Sequence, residues 1–150
     1  MHNNKNNFAL YIILTMIGVA FCLKVMQYCA TTGEVAINGK EFKVEIVKSA
    51  QEMAKGLSGR ESLKNGKGML FAFSKADYQL FWMKDMRFSI DIIWINEGKI
   101  VDIKEKAPVP LTQYLESYKP VSPAKYVMEI NAGLAEKYGF KVGDLVKLDI

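Results

Sequence analysis

Glu34-Val35-Ala36-Ile37-Asn38-Gly39-Lys40-Glu41-Phe42-Lys43-Val44-Glu45-Ile46 decides the fold class. Val35 and Ile37 on one side, and Phe42, Val44 and Ile46 on the other, recur at a spacing of two. That period puts the apolar side chains of an extended chain on one face. Between them, Asn38-Gly39 supplies two residues that tolerate positive φ, as a type I′ turn requires. The stretch therefore predicts a β-hairpin with one buried face.

Downstream, Ser49 with Glu52 three residues later forms a capping-box pattern that starts a short helix. Ala50, Met53, Ala54 and Leu57 give this helix an apolar side, and Gly59 is the expected stop. Met69 to Phe73, Tyr78 to Met83 and Ile90 to Ile95 read as strands, and Asn96-Glu97-Gly98 turns the last into Ile100 to Ile103. An irregular connection runs from Ala107-Pro108-Val109-Pro110 to Pro123. Tyr126 to Ile130 and Leu145 to Ile150 are strands, separated by a helix from Ala132 to Tyr138 that Asn131 should cap and Gly139 close. Short strands with two small helices predict a mainly β domain, an antiparallel sandwich or barrel rather than a βαβ fold.

Upstream the composition changes abruptly. Phe8 to Leu23 is uncharged and apolar, while every acidic residue lies beyond residue 30. With Lys24 snorkelling to the headgroups, a helix can run to Tyr28; roughly 20 residues at about 1.5 Å each would cross a bilayer. The chain thus divides into residues 1–30, a transmembrane or signal helix, and residues 31–150, one β-rich domain. A-x-A-like cleavage and lipoprotein sites are both poor around Cys22 and Cys29, which favours an uncleaved signal anchor. The positions of Lys5 and Lys24 barely favour an inside N-terminus. The expected location is membrane-anchored through Phe8 to Tyr28, with the domain extracytoplasmic at the periplasm or cell surface. The domain is secreted if the segment is cut.

Charge and composition exclude several functions. Of the 20 basic residues only Lys5 and Lys24 precede the domain, so its 16 acids nearly balance its bases. Such a balance is no nucleic-acid footprint. The single histidine is His2, and both cysteines precede residue 30. Ser-His-Asp and Cys-His catalysis, and a zinc site built on His and Cys, are therefore excluded from the domain. No cofactor and no metal site is expected.

Three features point to a site. The chain has 18 lysines but only two arginines, Arg60 and Arg87, which suit positions needing a planar bidentate fork. Asp91 interrupts the apolar strand Ser89-Ile90-Asp91-Ile92-Ile93-Trp94-Ile95. A buried carboxylate there needs a partner, and Arg60 or Arg87 is the expected one. Phe81-Trp82-Met83-Lys84-Asp85 passes from aromatic to charged residues, as at the rim of a pocket. Tyr126 and Glu129 are weaker candidates; three apart on a strand, they face opposite sides.

The motifs Glu52-x3-Gly56-Leu57-Ser58-Gly59-Arg60, Gly68-Met69-Leu70-Phe71-Ala72-Phe73, Phe81-Trp82-Met83-Lys84, Asp91-Ile92-Ile93 and Pro123-Ala124-Lys125-Tyr126-Val127-Met128-Glu129 with Gly133 occur in this order. Together they resemble the uncharacterised bacterial and archaeal family known as domain of unknown function 192, over nearly all of residues 35–150. The resemblance implies a single β-sandwich-like domain, often exported, and no established activity. The chain departs from the family pattern at Asp85-Met86, where Asn-Thr is usual, and at Ser89, where proline is usual.

These readings converge on a membrane-tethered binding or accessory domain whose ligand-binding residues are Arg60, Trp82, Lys84, Asp85 and Asp91. A small molecule, saccharide, peptide or other cell-envelope component would suit such a surface. A structural partner in a membrane complex, or a metal-independent hydrolase pairing two of Asp85, Asp91 and Glu129, are the alternatives.

Overall fold

The computed structural model describes residues 11–19, 31–112 and 115–150. The chain divides into two units, Met1–Ala30 and Thr31–Ile150. In the first, residues 11–19 are helical and exposed. Among the described residues no helix is long and apolar enough to cross a membrane. The span expected from Phe8 to Tyr28 extends at both ends outside the described residues, as do Cys22 and Cys29.

The second unit runs β1 (Thr31–Ile37), β2 (Lys40–Val47), α1 (Ala50–Lys55), β3 (Lys67–Asp77), β4 (Phe81–Trp82), β5 (Ile90–Asn96), β6 (Lys99–Ala107), β7 (Ser117–Tyr118), β8 (Ala124–Asn131), α2 (Leu134–Tyr138) and β9 (Val146–Asp149). The β1–β2 hairpin forms as its sequence dictates. Asn38 and Gly39 both have positive φ, at 49° and 76°, and Ile37 pairs with Lys40 across the turn.

Seven strands form one sheet in the order β6-β5-β8-β3-β2-β1-β9, and β4 pairs with β7 as a separate ribbon. The sheet curls until its two edge strands meet. Lys99 bridges Leu145, and the Val146 and Ile100 amides donate to the carbonyls of Gly98 and Asp144. The result is a partly closed barrel, not a two-sheet sandwich. One pairing also departs from the antiparallel expectation: β2 and β3 are parallel. Residues 48–66 link them, and a link of more than a dozen residues is long enough for a parallel return.

Opposite faces of this sheet build two cores. The inner face carries Val35, Ile37, Phe42, Val44, Ile46, Leu70, Ile93, Ile95, Met128 and Ile130, with Ala135 of α2 and Phe140 packed against it. The outer face carries Met69, Phe71, Ile92, Trp94 and Val127, covered by Leu57, Leu63, Phe81, Met83, Met86 and Tyr118. Because β3, β5 and β8 are buried on both faces, their sequences are nearly continuous in apolar residues.

Local expectations fail where tertiary contacts outweigh pattern. The capping box of α1 is present, but the helix stops at Gly56, with φ of 49°, rather than at Gly59. A side chain at Gly56 would sit 3.3 Å from the Phe71 ring. The strand expected from Tyr78 to Met83 shrinks to Phe81–Trp82, because its partner β7 has only two residues. Asn131 does not cap α2. Gly133 occupies that position without a side-chain cap, and the Asn131 amide donates to the Leu63 carbonyl at 2.9 Å.

Candidate functional site

Two buried carboxyl groups lie on neighbouring strands. Asp91 on β5 is fully buried, and Glu129 on β8 is 5% exposed. Their surroundings differ completely.

Asp91 Oδ1 accepts the backbone N–H of Lys106 at 2.8 Å and of Gly133 at 3.0 Å. Its Oδ2 accepts the N–H of Ala135 at 2.8 Å. The β5–β6 register shifts between Ile90 and Ile92, and Lys106 takes a positive φ of 49°. That bulge aims its amide at Asp91. The carboxylate thereby ties β6 to the first turn of α2. No arginine approaches it: Arg60 pairs with Glu45 and Arg87 with Glu61. The expected arginine partnership is corrected, because backbone amides supply the donors that this buried charge requires.

Glu129 points to the other face. It lies opposite Met69 on β3 and Ile92 on β5, both of which belong to the outer core; directly paired residues share a face. Its Oε2 is buried without a hydrogen-bond partner. Burial pushes the carboxyl pKa up to about 8, against the opposing pull of the Arg60 charge. Glu129 is therefore mostly protonated at neutral pH.

Glu129 borders a cavity of about 210 Å³ between the sheet, α1 and the β4 segment. Phe71, Phe73, Phe81 and Trp82 supply aromatic walls, and Met53 and Met86 supply flexible apolar ones. Phe71 and Phe81 meet edge to face with centroids 4.8 Å apart. Trp82 itself is 51% exposed, so it forms part of the rim rather than the core.

Arg60 stands beside this carboxyl. Its two terminal nitrogens donate to the two Glu45 oxygens, each at 2.7 Å. This fork holds the Glu45 carboxyl below its ordinary range and raises the guanidinium further. Glu45 pairs with Met69, which pairs with Glu129. The two carboxyls thus share a row two strands apart, about 10 Å at the backbone.

The other residues expected at the site contribute chiefly through their backbone. Ser58 donates its hydroxyl to the Lys84 carbonyl at 2.7 Å, and the Gly59 amide donates to the Asp85 carbonyl at 2.9 Å. The Gly-Leu-Ser-Gly-Arg and Trp-Met-Lys-Asp motifs are therefore clamped together over the outer core. Asp85 has a positive φ of 55°, a conformation that both Asn and Asp tolerate. Its replacement of the family's usual asparagine is thus compatible with the backbone. The structure brings Arg60 and Trp82 to the neighbourhood of one carboxyl, Glu129, and holds Lys84 and Asp85 at the exposed edge. Asp91 is not among them, since it lies across the sheet.

The sequence pattern points to Asp91 ahead of Glu129, and it marks neither Met53 and Phe71 as cavity walls nor Glu45 as the partner of Arg60. The signal for Glu129 was present: a carboxylate within Tyr126-Val127-Met128-Glu129-Ile130 meets the argument applied to Asp91. Among the described residues no group of three or more His, Cys, Asp or Glu is gathered to hold a metal ion.

A family profile for DUF192, described as Uncharacterized ACR, matches residues 33–148. The chain belongs to this family of uncharacterised proteins. It is also similar to two crystal structures. One, from Novosphingobium aromaticivorans, is of a protein of unknown function. It is 30% identical with a TM-score of 0.66, and the match covers 79% of this chain and 84% of that one. The other, from Sinorhizobium meliloti, is described as a candidate transcription regulator. It is 27% identical with a TM-score of 0.70, over 79% of this chain and 95% of that one. No curated protein matches the chain.

Proposed function

We propose that this protein is a recognition module that binds a small ligand, or one group of a larger one, in the cavity over Glu129. In the same reading the apolar segment from Phe8 to Tyr28 holds the domain at the outer side of a membrane. The observation that carries the binding role is the unpartnered Glu129 Oε2 beside an aromatic-walled cavity. A buried polar atom without a partner costs about 1–3 kcal/mol. A ligand that hydrogen-bonds to it recovers that cost, and the aromatic walls accept the ligand's apolar body. The cavity is small beside the roughly 300–1,000 Å³ of typical ligand pockets. One ring or one side chain of a saccharide, peptide or envelope component fits that size better than a whole cofactor.

Paired-carboxylate hydrolysis has less support. Glycoside chemistry needs two carboxyls converging on one bond. Asp91 lies on the opposite face from Glu129, and Asp85 is exposed and does not line the cavity that Glu129 borders.

The test is fragment binding to the full-length protein, read from the Trp82 indole N–H resonance. Fragments that shift this signal should lose at least tenfold in affinity in an Ala54→Trp variant, which adds a ring at a position that lines the cavity. Fragments that bind both proteins equally would place recognition elsewhere and remove this reading.

A further inference from the structure

Resting on the cavity reading above, we propose that the group received over Glu129 is a primary ammonium carried on a short apolar stem. Three features of the cavity select this chemistry. Once ionised, the unpartnered Oε2 can only accept a hydrogen bond, so a ligand that draws the proton off this carboxyl must donate one. The walls of Phe71, Phe73, Phe81 and Trp82 offer aromatic faces and edges, and a cation over an aromatic face is attracted by the ring quadrupole. Arg60 offers an anion no receptor here, because its fork is turned to Glu45 and it does not line the cavity.

The charge balance agrees. Lys67 and Arg60 both act on Glu45, while Arg60 alone acts on Glu129, so an ammonium over an ionised Glu129 balances a charge that is otherwise only partly offset. The other groups facing this carboxyl do not compete for it. β3 presents Met69 and β5 presents Ile92. Lys104, next along the same row, lies over the Tyr118 ring with 4.9 Å to its centroid. Lys55 borders the cavity from α1 but is exposed. A primary ammonium suits the site better than a quaternary one, which has no N–H to donate to Oε2.

Binding then carries a proton balance. The free site holds the Glu129 carboxyl protonated at neutral pH; the ammonium enters, the carboxyl ionises, and one proton passes to the solvent. Below the carboxyl's pKa, affinity should rise about tenfold for each unit of pH, levelling off above about pH 8.

The experiment titrates full-length protein with n-butylammonium, n-butanol and butyrate while following the Trp82 indole resonance. Calorimetry in buffers of different ionisation heat counts the released protons. The proposal expects butylammonium to bind at least tenfold more tightly than the other two at pH 7, with release of one proton. Glu129→Gln should abolish that preference and the proton release. Trp82→Leu, at an exposed position, should weaken butylammonium several-fold as read by calorimetry, the indole signal being absent from this variant. A blocked lysine amide set against n-butylammonium separates a peptide side chain from a free amine as the source of such a group, and binding of either supports the assignment. If butanol binds as tightly as butylammonium, without proton release, the cavity stands as a binding site and the ammonium assignment falls. If none of the probes moves the Trp82 signal, the cavity reading falls and this inference falls with it.

Discussion

Asp91 and Glu129 are both buried, on adjacent strands of one sheet, yet one is fully satisfied and the other is not. Asp91 accepts three backbone N–H groups and closes the inner core against α2. Glu129 faces the outer core, where one of its oxygens has no partner. The contrast separates two uses of the same chemical group. A carboxylate surrounded by its own backbone donors is architecture. A carboxyl buried beside a cavity without donors has a cost that folding alone does not explain, and the proposed binding role rests on that cost.

The sharpest break of this comparison is Asp91→Ala. Hydrogen bonds to a charged group contribute about 1.5–3 kcal/mol each, and truncation leaves three buried amides unpaired. The expected loss is about 4–9 kcal/mol, comparable with the whole stability of a domain at about 5–15 kcal/mol. Urea denaturation should show an unfolded or barely folded chain. A loss below about 1 kcal/mol would mean that water replaces the carboxylate and that Asp91 organises nothing. Asp91→Asn keeps the shape but turns an amide donor toward one backbone N–H, so an intermediate loss is expected.

Glu129→Gln should act in the opposite direction, and its effect should depend on pH. Below about pH 4.5, the ordinary value, Glu129 is protonated in the folded and unfolded chain alike. As pH rises from there to about 8, the unfolded chain releases this proton while the folded chain keeps it. Stability therefore falls across that window, and above it the whole penalty remains, on the order of 5 kcal/mol. The glutamine does not titrate. Relative to wild type it should gain on the order of 3–5 kcal/mol between pH 5 and pH 9, measured as the change in urea midpoint. Parallel profiles for the two proteins would mean that Glu129 ionises freely.

These two residues also mark how far the sequence could be read. The hairpin, the capping box, the Gly139 stop and the mainly β class follow from spacing within a few residues, and local chemistry enforces them. Curling of one sheet, rather than stacking of two, depends on contacts such as Lys99 with Leu145 and Gly98 with Val146. Those contacts join segments far apart in the chain and leave no periodic trace. The parallel β2–β3 pairing is invisible for the same reason. At the site, the apolar setting of Asp91 showed that it is buried, but not that its donors would be the amides of Lys106, Gly133 and Ala135. The Arg60 fork was legible as a need for a carboxylate. Its partner Glu45 was not, because it sits among ordinary alternating charges on β2.

Arg60→Lys gives the smallest expected effect and sharpens the comparison most. Lysine keeps a positive charge near Glu129 but cannot reproduce the fork on Glu45. Because both partners are more than a third exposed, the loss should be about 1 kcal/mol or less. The Glu45 carboxyl should return toward its ordinary range while Glu129 keeps its high one, both followed by carboxyl carbon resonances against pH. Arg60→Met removes the charge as well, and should drive the Glu129 titration higher still, since the only opposing pull on it comes from that guanidinium. If neither substitution moves Glu129, the two groups are electrically separate. The outer-face carboxyl then owes its protonation to burial alone, and Arg60 serves the site only by clamping β2 to the loop that roofs the cavity.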